Sequence, residues 1–136
     1  MPGWAGFTMA NEILNYFYRG QPVTIGANLY LRFLVSPSNR AGGGVETNYN
    51  GYGRYVLVRS TGVFGAPNNG FMSNIVKIQL GAALSLGNGD LVWFDVVDTP
   101  SGSFSKVYGG GPIQPGKAIV LNKPPTFDIG KLQFTF

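Results

Sequence analysis

The sequence predicts a mainly β protein: a single-domain antiparallel β-sandwich or jelly-roll-like fold with one short N-terminal amphipathic helix. Three observations predict it. Gly occurs 21 times and Pro nine times among 136 residues, as many tight turns between short strands require. The apolar residues after Pro22 repeat with a period of two, the period of a half-buried strand. Turn signals recur at strand-length intervals, as in sandwiches and barrels. A chain of this length suits one domain with its own core.

The expected organisation is an N-terminal arm over 1–7, a helix over 8–20 and a β domain over 26–136. The arm has no periodicity but holds Trp4 and Phe7. These two could anchor in a neighbouring subunit or fold back on their own sheet. In the helix, Met9, Ile13 and Phe17 fall at i, i+4 and i+8, and Ala10 and Leu14 widen that stripe. Thr8 is placed to cap the start, with Glu12 near the positive end of the helix dipole. Arg19 sits in the last turn, Gly20 at the stop and Pro22 just beyond. The stripe is expected to dock on a sheet.

Strands follow. Ala27, Leu29, Leu31, Phe33 and Val35 share one face, with Tyr30, Arg32 and Leu34 on the other. Pro37 to Tyr52 reads as a long loop containing Gly42-Gly43-Gly44. Arg54 to Arg59 is a strand with apolar groups on both faces. Thr61 to Gly70 is a Gly/Pro/Asn-rich connection. Ile75 to Leu80 reads as a strand with Val76, Ile78 and Leu80 on one face. Asn88-Gly89-Asp90 is a turn, and Leu91 to Val97 is a near-continuous apolar strand. Asp98 to Gly102 turns again. Phe104 to Tyr108 is a further strand that Gly109-Gly110-Gly111-Pro112 breaks. Lys117 to Asn122 and a closing strand with Leu132, Phe134 and Phe136 on one face complete the series.

Composition limits the function. Charged residues are only 12% of the chain, against roughly 25% in soluble domains. A surface poor in charge and rich in aromatics fits one that partners cover. The net charge is +4, but the ten basic residues are scattered. Specific nucleic-acid binding would cluster them, so none is expected. There is no Cys and no His, which excludes disulfides, Cys-based metal sites and His-dependent nucleophilic triads. No secretory pattern and no spanning helix is visible, and no membrane role is expected.

One motif needs dismissal. Gly111 to Ala118 fits most of the phosphate-loop pattern G-x4-G-K-[ST]. However, Pro112 and Pro115 remove two backbone donors, Ala118 has no hydroxyl, and the segment alternates like a strand. Asp95 and Asp98 could share a cation, but no calcium-loop pattern is present. Asp98 reads as a turn residue, and Asp95 is expected to face out or meet an Arg. No catalytic residue, no cofactor and no metal site is expected, and the chain reads as a non-enzyme. The interface candidates are Trp4, Phe7, Tyr49, Tyr52, Phe64 and Phe71. The last four lie in or beside loops with Asn48, Asn50, Asn68 and Asn69, a composition suited to recognising protein or sugar surfaces.

The order of features resembles a family of small bacteriophage virion proteins, often labelled tail fibre proteins. The resemblance is carried by the helix from Ile13-Leu14 to Arg19-Gly20, then Ala27-Asn28-Leu29-Tyr30 to Leu34. It continues through Gly51-Tyr52-Gly53-Arg54-Tyr55-Val56, Ser73-Asn74, Gly89-Asp90 to Phe94-Asp95, Ser101-Gly102, Pro115-Gly116-Lys117 and Gly130-Lys131-Leu132 to Phe136. It implies a β-sandwich or jelly-roll-like virion component. Similar small β proteins serve as cement or decoration proteins on phage heads. The leading expectation is therefore a capsid cement protein, a dimer or trimer bound to the outside of the major capsid protein shell in the virion, after assembly in the host cytoplasm. The alternative is a tail, fibre or baseplate component that contacts tail proteins, host glycans or host protein.

Overall fold

The computed structural model describes residues 4–135. It is mainly β, with antiparallel sheets and one N-terminal helix. In chain order the elements are β1 (Trp4–Ala5), α1 (Phe7–Arg19), β2 (Asn28–Leu34), β3 (Tyr55–Val58), β4 (Phe71–Ser73), β5 (Ile78–Gln79), β6 (Leu91–Val97), β7 (Val107–Lys117), β8 (Thr126–Phe127) and β9 (Gln133–Thr135). Five strands form one sheet in the order β1-β7-β6-β2-β3, and two ribbons, β4-β9 and β5-β8, stand beside it.

The alternation read from the sequence sets which groups the sheet buries. Leu31 lies opposite Val96 and Phe33 opposite Phe94, and these four point into the core with Leu57 and Tyr108. The ribbons close that face. Phe127 of β8 stacks on Phe33 with centroids 4.8 Å apart, and Phe134 of β9 meets Phe94 edge-on at 5.1 Å. The second layer is thus two short ribbons and their loops. Asn74, fully buried, ties this layer together: its side chain donates to the Val76 and Asp128 carbonyls and accepts from the Leu132 amide.

The opposite face of the sheet holds Arg32 against Asp95, direct neighbours across β2 and β6. Arg32 Nε donates to Asp95 Oδ1 at 2.9 Å and Nη2 to Oδ2 at 2.6 Å. Asp95 is 0% exposed, so the expectation that it faces out or meets an Arg resolves to the Arg.

The glycines next to Asp95 behave differently from the expectation. Gly109 to Pro112 does not break a strand; β7 runs through it as the longest strand of the sheet. Gly110 lies opposite Asp95, and a Cβ there would sit 2.5 Å from the Phe94 carbonyl oxygen and 2.9 Å from Asp95 Cβ. Backbone needed to pass that close, and only glycine allows it. Several shorter elements differ as well. The strand expected over Ile75 to Leu80 shrinks to Ile78–Gln79, leaving Val76 exposed. Lys117 ends β7, and the strand expected to Asn122 is replaced by a lone bridge between Ala83 and Leu121. Residues 1–3 of the expected arm and Phe136 lie outside the described residues.

The helix stops where expected. Gly20 adopts the left-handed conformation (φ 63°) and its amide bonds the Asn15 carbonyl. Its start is one residue earlier than expected, and Thr8 is not the cap. Gly6 is, without a side-chain bond. A Cβ on Gly6 would lie 2.0 Å from the Val107 carbonyl oxygen, so close packing on β7 displaces a side-chain cap. Glu12 does not serve the helix end either; it accepts from Lys106 Nζ at 2.8 Å.

Replacing Asp95 with Ala strands the Arg32 charge in the interior, and losing one partner of a buried pair costs about 3–5 kcal/mol. The midpoint of urea unfolding should fall accordingly, and a change under about 1 kcal/mol would show that the pair does not hold β2 to β6.

Candidate interaction surfaces

Loop side chains were the sequence's candidates for recognition, and the structure sorts them by what their backbones allow. Tyr49 is only 2% exposed, and its hydroxyl donates to the Gly81 carbonyl at 2.9 Å. Tyr52 is half-buried, edge-on to Tyr49 at 5.6 Å. Its hydroxyl donates to Glu46 Oε2 and accepts from the Phe33 amide at 3.2 Å. Tyr52 therefore anchors the 35–54 loop to β2 and Tyr49 ties it to the segment after β5. Arg54 completes the anchor. It pairs with both Glu46 oxygens and donates to the Thr99 and Gly102 carbonyls. The Phe104 ring lies 4.4 Å from the Arg32 guanidinium and 5.8 Å from that of Arg54.

Phe64 and Phe71 lie nearer the surface. Phe64 packs edge-on against Phe134 at 5.1 Å, and Phe71 in β4 is partly exposed. Phe64 lines an open groove of about 540 Å³ with Leu29, Leu57, Val58, Pro67 and Met72. Trp4 lies in β1, its backbone paired with Gly110, so this part of the arm folds back on its own sheet. Phe7 opens α1 with the Arg40 guanidinium 4.7 Å from its ring.

Beyond Phe7, α1 carries uncovered apolar residues that were not among those candidates. No residue of α1 is fully buried, and Leu14, Tyr16, Phe17 and Tyr18 are exposed. Met9 reaches the core while Ile13 is half-buried. The expected stripe therefore docks only through its first turns. Tyr16-Phe17-Tyr18 was the available signal: three successive aromatics point in three directions, so one sheet cannot cover them all.

Chemistry is sparse around these surfaces. Among the described residues no group of three or more Asp or Glu could hold a metal ion, and no helix is long and apolar enough to cross a membrane. Asp95 is occupied by Arg32. Asp98 accepts from the Ser105 hydroxyl and from the Ser105 and Lys106 amides. Gly111 to Lys117 is strand, not a phosphate-binding loop opening a helix. The family model described as Podophage GP4 fiber I protein gp80 matches residues 6–135. The chain belongs to this family. No curated protein matches the chain.

For a podophage fibre I family member, the division of labour is clear in physical terms. A few polar side chains, Arg32, Asp95 and Asn74 among them, are buried and fix loops and strands, while the surface mixes polar groups with exposed aliphatic and aromatic ones. The match begins at Gly6, the residue that seats the helix on β7.

Tyr52 gives this arrangement a pH signature. Burial first, then the hydrogen bond and charge of Glu46, hold its hydroxyl far above the ordinary value of 10.0. In the unfolded chain Tyr52 releases its proton near that ordinary value while the folded chain keeps it. The unfolded state then binds fewer protons, so stability is full below pH 10 and falls as pH rises beyond it. Tyr52→Phe should cost about 1–3 kcal/mol at neutral pH and flatten that alkaline fall. Urea titrations from pH 7 to 11 check it, and parallel alkaline slopes in the two proteins would refute the assignment.

Proposed function

We propose that this chain is a non-enzymatic structural subunit of a podophage fibre, joined to other virion proteins by burial of its exposed apolar surface. The observation that carries this reading is the family match over residues 6–135. The surface supports it independently. Uncovered aromatic and aliphatic groups of this extent mark protein contacts, and α1, Phe71 and the loop residues Leu84, Leu86 and Leu121 supply them. A low proportion of charge suits a subunit that is stable among neighbours.

The family description supports the fibre reading over the cement reading raised by the sequence. Glycan contact through Tyr49 and Tyr52 has no support, since both are engaged internally.

Gold-labelled antibody against the chain, imaged on intact virions, tests the placement. Label confined to the tail appendages is the expected outcome. Label distributed over the head shell would overturn the fibre reading in favour of a decoration role.

A further inference from the structure

The two layers of the protein leave a gap at the β3 edge of the sheet. Leu29 and Leu57 on the sheet, with Phe64 and Met72 on the facing layer, line an open groove of about 540 Å³. That volume lies within the range of small-molecule sites, about 300–1,000 Å³. These four side chains carry no charge and no N–H or O–H, and the flexible thioether of Met72 adapts to irregular shapes. Polar groups gather at one part of the rim, where Arg59, Ser60 and Thr61 follow one another.

Arg59 is held in place there but has no counter-charge. Its Nη1 donates to the Ile25 and Gly26 carbonyls, each at 3.1 Å. Among the described residues no carboxylate pairs with it. The edge left over, Nε with Nη2, is the one by which Arg32 holds both oxygens of Asp95. A guanidinium edge of this kind matches a carboxylate with two parallel bonds. Beside it the Ser60 hydroxyl accepts from the Gly62 amide at 3.2 Å, which leaves its proton for a further acceptor.

We propose that this groove binds a fatty acid, with the alkyl chain between the layers and the carboxylate on Arg59. Charge and chemistry select that occupant. An alkyl chain has no polar group along its length, so an apolar lining leaves nothing unpaired. A peptide strand would bring an N–H and a C=O with almost every residue, and these would need the edge of β3. Of the two exposed valines on that strand, only Val58 reaches the groove. The net charge of +4 favours the approach of an anion. The site does not depend on the fibre reading, because groove and cation both belong to this one chain.

Titration calorimetry of the full-length chain with sodium dodecanoate, kept below its micelle threshold, tests the proposal. One dodecanoate per chain should bind in the micromolar range, and acetate, which has the charge without the tail, should not bind. Arg59→Gln should weaken binding about 10- to 100-fold. Ala66→Trp, which places bulk on the exposed rim of the groove, should weaken it comparably without touching the cation. Both positions are exposed, so circular dichroism should be unchanged in either variant. In amide NMR spectra dodecanoate should shift the signals of Leu57 to Phe64 and leave those of Leu14 to Tyr18 unmoved. Shifts confined to α1 would mean adsorption on its exposed aromatics and would overturn the proposal. An Arg59→Gln variant that binds undiminished would overturn it too. So would a native chain without saturable binding, which would leave the groove to a peptide strand from a partner.

Discussion

Arg32 and Asp95 sit side by side on the two central strands of the sheet, with the carboxylate fully withdrawn from water. Two buried charges are tolerated only when each is the other's partner and the remaining hydrogen-bonding capacity is met. Their surroundings follow from that condition. The third Arg32 bond goes to the Gly43 carbonyl at 2.9 Å, which draws in the long loop. The Phe104 ring covers the guanidinium, which fixes the 98–106 turn. Gly110 leaves room for Asp95 on the next strand. One ion pair thereby dictates a loop, a turn and a glycine.

A second pair, Glu46 with Arg54, repeats the pattern nearer the surface. Phe104 lies close to both guanidinium groups, so the two ionic centres share one aromatic lid. The arrangement concentrates the protein's limited charge where it joins segments distant in sequence. What remains outside mixes the other charged residues with exposed aliphatic and aromatic groups.

The central strands were legible because period-two alternation directly reports which side chains a sheet buries. Leu31 and Phe33 sit where that pattern puts them, whereas Phe94 and Val96, in a near-continuous apolar run, take their face from pairing with those two. The helix stop was legible for a local reason too, since Gly20 relieves a left-handed backbone. The errors share a different cause. Gly109 to Pro112 reads as a breaker locally, yet non-local crowding against Asp95 makes glycine the residue a strand needs there. Tyr49 and Tyr52 sit in backbone that is loop, while their side chains fold inward; no local pattern distinguishes that from exposure. The helix face was read correctly as apolar, but periodicity does not say whether the covering surface belongs to the same chain.

Gly6 has a consequence beyond the start of a helix. Its amide bonds Tyr108 and the Phe7 amide bonds Arg40, so α1 is clamped at one end and unsupported at the other, like a cantilever. The bearing of a cantilever is decided at its root. Any side chain at Gly6 would meet the Val107 backbone and force that root off its seat on β7. The direction of the helix's exposed aromatic end is then set by one hydrogen atom at position 6, far from that end.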